Sequence, residues 1–130
     1  MHYANNRHAR RYRSAVRGKT YSPRTLAALF LLTADHRLWP RWRAVFAGES
    51  VDWQAARRGE VSWGGYFLEC AALSIARCGH PQVTLHDLTD QANYPQETLR
   101  IVITALWIAR NDPRTIIKFV ICKGGKLVTC

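Results

Sequence analysis

The chain has no apolar run approaching the roughly 20 residues that a membrane-spanning helix requires. Its longest, Leu26–Leu32, is much shorter and follows a polar, arginine-rich stretch. No small-residue cleavage site comes after it, so an untargeted, cytoplasmic protein is expected. None of the four cysteines, Cys70, Cys78, Cys122 and Cys130, belongs to a C-x-x-C pair. In such a protein they are predicted to be thiols rather than disulfides. Cys70, Cys78, His80 and His86 do not have the short spacings of a structural zinc site, and no metal is expected. There is no nucleophile motif, glycine-rich phosphate loop, H-E-x-x-H or close carboxylate pair. Glu69 is read as a surface or capping residue, and His86 and Asp87 as solvated. These absences point away from an enzyme and from any cofactor.

Acidic residues are missing from positions 1–24, which hold Arg7, Arg10, Arg11, Arg13, Arg17, Lys19 and Arg24 for a charge of +7. The middle of the chain is close to neutral, and residues 61–113 carry −2. Residues 114–130 return to +4 through Arg114, Lys118, Lys123 and Lys126. The formal total of +10 therefore lies at the two ends. Basic ends suit a polyanion such as nucleic acid, or an acidic protein surface.

A length of 130 residues, 48% of them hydrophobic and five of them Trp, is enough for one domain with a real core and excludes a disordered chain. Residues 1–20 are expected to form a basic flexible arm, within which Ala9–Val16 can be a short helix. Ser22-Pro23 is a helix start, with Ser as N-cap and Pro at the first helical position. The helix that follows is apolar nearly all round, as a central core helix is. Leu38, Trp42, Val45 and Phe46 make one helical face, leaving Arg37, Arg41 and Arg43 to solvent. A short helix is predicted over Ser50–Arg58 and a longer one over Ser62–Cys78. The fold class is mainly α: a compact domain of five to six helices over residues 21–130, ending in a β-hairpin.

Residues 84–110 resemble a helix-turn-helix. Thr84 caps a helix over Leu85–Ala92, Asn93 occupies the turn, and Pro95 opens the second helix. Leu85, Leu88, Ala92, Tyr94, Leu99 and Val102 are the positions that such a motif packs inward. The hairpin follows at residues 115–130, where Gly124-Gly125 is a two-residue turn signal between β-rich runs. With that turn Lys123 pairs with Lys126, and Cys122 does not face Cys130. The whole order is similar to a winged helix-turn-helix, whose wing tip contacts phosphate or the minor groove. The second helix, however, carries only Gln96, Glu97 and Arg100 near its start and is apolar beyond. The helix-turn-helix is therefore read as scaffold.

Tyr21-Ser-Pro-Arg-Thr-Leu-Ala-Ala-Leu-Phe-Leu-Leu-Thr-Ala-Asp-His-Arg-Leu-Trp39 and Leu85-His-Asp-Leu-Thr-Asp90 are similar to a family of small helical proteins of bacterial genomes, phages and mobile elements. That resemblance implies an accessory or regulatory role, as in repressors or anti-CRISPR inhibitors. The expected function is a non-catalytic, basic nucleic-acid-binding protein, for DNA or RNA. Arg7, Arg10, Arg11, Arg13, Arg17, Lys19, Lys123 and Lys126 would lie on phosphate, with Gln96 and Arg100 nearest the bases. The alternatives are an inhibitor that binds an acidic surface of a nucleoprotein complex, and a homodimer held by Trp and Ile of the second helix.

Overall fold

The computed structural model describes residues 1–48, 50–56, 62–76 and 83–111. It is mainly helical, and no strand occurs among these residues. The predicted hairpin at 115–130, with Lys123 and Lys126, lies outside them.

The first helix, α1, spans Asn6–Val16. Asn5 caps it, its side-chain oxygen accepting the His8 N–H at 2.8 Å. His8, Ala9 and Tyr12 are buried, so residues 1–20 are not the free arm that their arginine content suggested. Helical spacing collects the three buried residues on one face and leaves Arg7, Arg10 and Arg13 on the other. The chain turns after α1 through Gly18, whose φ of +72° is in the left-handed region that glycine enters without strain.

Helix α2, Pro23–Leu32, starts as its sequence specifies, with the Ser22 hydroxyl accepting the Thr25 N–H at 3.3 Å. Ala27 through Leu32 have zero exposure. The helix can be buried on all sides because it packs along both α4 (Trp63–Ala76) and α5 (Gln96–Arg110). Truncating Phe30 to alanine in such a core costs about 3–5 kcal/mol.

Asp35 ends one element and begins the next. Its Oδ1 accepts the N–H groups of Arg37 and Leu38, at 2.8 and 2.9 Å, at the start of α3, Leu38–Trp42. The helical run continues as a 3-10 turn over Arg43–Phe46. Leu38, Trp42, Val45 and Phe46 are buried together, as their spacing predicted. Of the helix expected over Ser50–Arg58, the described residues 50–56 form a single 3-10 turn, Trp53–Ala55, started by Asp52.

The Leu85–Ala92 helix is likewise only a 3-10 turn, Asp87–Thr89. Thr84 does act as a cap: its Oγ1 accepts the Asp87 N–H at 3.2 Å, and Asp87 accepts the Thr84 N–H at 2.8 Å. Asp90 then ends the turn by accepting the Ala92 N–H and the Asn93 side-chain amide. A carboxylate that binds the backbone two residues ahead competes with helix continuation. Leu85, expected inside, is 83% exposed, whereas Tyr94 and Val102 are buried as expected. The Tyr94 hydroxyl donates to the Phe67 carbonyl at 2.9 Å and ties the entrance of α5 to α4.

Candidate nucleic-acid interface

Helix α1 is held by its contact with the C-terminal end of α2. A helix leaves its last carbonyls without intrahelical partners. Here His8 Nε2–H donates to the Phe30 carbonyl at 2.8 Å. Arg11, one turn on, donates from Nε to the Thr33 carbonyl at 2.7 Å and from Nη2 to the Ala34 carbonyl at 3.3 Å. The guanidinium also places positive charge at the negative end of the α2 dipole. Around this polar lock Tyr3, His8, Tyr12 and Phe30 form an aromatic cluster, with Phe30 4.6 Å from His8 and 5.2 Å from Tyr12 between ring centroids. Burial pushes the Tyr12 hydroxyl up to about 12.

The buried His8 is neutral. Its Nδ1 accepts the Ala4 N–H at 2.9 Å while Nε2–H donates to Phe30, so both ring nitrogens are satisfied in one tautomer. Burial lowers its pKa to about 4, with the neighbouring Arg11 acting in the same direction against the Phe30 bond.

With that face committed, Arg7, Arg10, Arg13 and Arg17 point outward. At about 100° per residue they share an arc about 120° wide, and they span about 15 Å along the helix. Among the described residues Arg7, Arg10 and Arg17 make no hydrogen bond or ion pair, and Arg13 lies 5.5 Å from the Tyr3 ring centroid. No residue before Asp35 is acidic. Beyond it, Asp35, Asp52, Asp87 and Asp90 each accept a backbone N–H.

The other basic candidates divide. Arg11 and Lys19 are engaged within the fold, Lys19 donating to the Gly48 carbonyl at 2.9 Å. Gln96 and Arg100 are exposed on α5, where Arg100 lies 3.5 Å from Glu97. The N-terminal segment reaches that same turn, with His2 3.3 Å from Glu97. It thus connects the α1 region to the start of α5. Asn5 and Asn6 border a surface hollow of about 480 Å³ with Tyr3, Ala9, Arg10 and Arg13.

Glu69 is not at the surface. It is 9% exposed, its Oε2 accepts the Trp42 indole N–H at 2.8 Å, and the same oxygen lies 3.6 Å from Arg41 Nε. This network ties α3 to α4, and Arg41 is correspondingly drawn out of full solvent exposure. Cys70 is a buried free thiol, and its burial raises its pKa. Cys78 and His80 lie outside the described residues, and His86 is exposed. Among the described residues no three of His, Cys, Asp and Glu group around a common point, and no helix is long and apolar enough to cross a membrane.

No family model, curated protein or solved structure matches the chain.

Proposed function

We propose that this protein is a non-catalytic, nucleic-acid-binding regulator that grips the phosphate backbone with the outer face of α1. One observation carries the reading: α1 is docked by its apolar face, which holds Arg7, Arg10, Arg13 and Arg17 together on an exposed face with no acidic residue in the first 34 positions. A docked helix presents its arginines on a backbone that is already ordered, so binding costs less conformational entropy than ordering a free arm. Contacts of this kind position the protein without reading sequence. Gln96 and Arg100, exposed on the adjoining turn of α5, would be the side chains nearest the bases.

Fluorescence anisotropy with a labelled oligonucleotide at rising salt tests this directly. Binding at low salt that weakens steeply supports it. Absence of binding at low salt, or loss of none of it when the four arginines are replaced by glutamine, rejects it.

A second reading, a protein-binding regulator, draws on a different surface. Ile103, Leu106 and Trp107 of α5 are 45–57% exposed. Beside them a cleft of about 270 Å³ runs between α4, residues 83–88 and α5, lined by Ile75, Val83, Leu85, Leu88, Val102 and Leu106. Apolar surface of this kind marks protein contacts. Capture of a partner that survives nuclease treatment, and that is lost on Trp107→Asp, would favour this reading over the first.

A further inference from the structure

We propose that the hollow between residues 3–5 and α1 is a subsite for one unstacked nucleotide, which makes single-stranded nucleic acid the preferred ligand. The proposal rests on the arginine-face reading and adds a ligand class to it.

The hollow has two walls of different chemistry. Tyr3 and Ala9 supply apolar surface, while Asn6, Arg10 and Arg13 supply polar groups. Its volume of about 480 Å³ lies within the ordinary size range of small-ligand sites. Arg10 and Arg13 belong both to the hollow and to the outward arginine row, so a strand followed along that row passes the hollow's rim. The Asn6 amide has no hydrogen-bond partner among the described residues. It offers a donor and an acceptor of the kind that base edges require. Asn5 is different, because its side-chain oxygen is committed to the α1 cap. Arg13 is already stationed beside Tyr3, at 5.5 Å from the ring centroid, and needs little ordering.

A duplex cannot fill this space without extruding a base, which costs a few kcal/mol. A single strand presents unstacked nucleotides at no such cost. The arginine row serves either ligand, whereas the hollow serves only the single strand.

The test compares a labelled 12-nucleotide single strand with its duplex on the full chain, for the natural protein and for Asn6→Asp. Aspartate is favourable in the first turn of a helix, so this variant keeps α1 folded. Its carboxylate faces the space that the nucleotide would occupy. The expected result is preference for the single strand, with affinity for it falling at least about tenfold in Asn6→Asp and duplex affinity falling much less. Adenosine monophosphate should also displace the single strand at lower concentration than inorganic phosphate does. Equal affinity for the two forms, or an equal loss on both in Asn6→Asp, would overturn the subsite and leave the arginine-face reading standing. Failure of both forms to bind at low salt would reject the subsite and the arginine-face reading together.

Discussion

The Nε2–H of His8 donates to the Phe30 carbonyl across 2.8 Å, joining a buried side chain of α1 to a carbonyl near the end of α2 that also accepts the Thr33 hydroxyl. The ring's other nitrogen accepts the Ala4 N–H, so a protonated imidazole would turn a donor onto a donor. In the folded chain His8 therefore titrates near 4, whereas an unfolded His titrates near 6.5. Between those values the unfolded chain binds a proton that the folded chain does not. Stability should be constant above about pH 6.5 and fall as pH drops toward 4, by roughly 3 kcal/mol in all. Urea denaturation across that range checks it, and His8→Gln should flatten the profile while lowering stability at pH 7. An unchanged profile in His8→Gln would assign the pH dependence elsewhere.

Replacing Glu69 should separate its two roles. Glu69→Gln keeps an oxygen to accept the Trp42 indole N–H and loses only the charge facing Arg41. Glu69→Ala leaves the buried indole N–H without its acceptor and opens space between α3 and α4. The expected losses are about 1 kcal/mol for glutamine and about 2–3 kcal/mol for alanine, the partial exposure of Arg41 keeping both below the cost of a fully buried pair. Denaturant midpoints measure them. Equal losses in the two variants would show that the indole bond contributes nothing.

The helices with complete start signals were legible before the fold. Ser22-Pro23 and Pro95 stand where α2 and α5 begin, and the Leu38/Trp42/Val45/Phe46 spacing gave the right buried face. Shorter pieces failed for a local reason. Leu85–Ala92 has a good cap at Thr84, but Asp90 captures the backbone ahead of it, and a single turn cannot repay helix nucleation.

Two buried polar groups were illegible for another reason. Glu69 is inside because Trp42 and Arg41, on a different helix, supply its partners. His8 is inside because the Phe30 carbonyl near the end of α2 and the Ala4 N–H give both its ring nitrogens partners. Neither contact is visible within a few residues of sequence. The basic stretch misled in the same way. Its arginines dominate its composition, while His8, Ala9 and Tyr12, spaced to share one helical face, are what dock it.

Arg11 should behave unlike the arginines around it. Its guanidinium is bound to the Thr33 and Ala34 carbonyls, so Arg11→Gln should cost about 1–2 kcal/mol of stability. The slope of log affinity against log salt should hardly change, because the side chain does not face the ligand. Thermal melts and anisotropy titrations on the same variant read the two effects. A fall in slope with stability intact would place Arg11 in the interface instead.

The exposed row should show the opposite pattern. If Arg7, Arg10, Arg13 and Arg17 each neutralise one phosphate, the slope should be about −2.8 on a single strand and about −3.6 on a duplex. Arg7→Gln and Arg17→Gln lie at the two ends of the row, and each should reduce that magnitude by about one unit while weakening all sequences alike. Neither side chain has a partner among the described residues, so stability should stay within about 0.5 kcal/mol. The quadruple glutamine variant should lose measurable binding near physiological salt and still melt cooperatively. A folded quadruple variant that retained affinity would exclude the outer face of α1 as the phosphate contact.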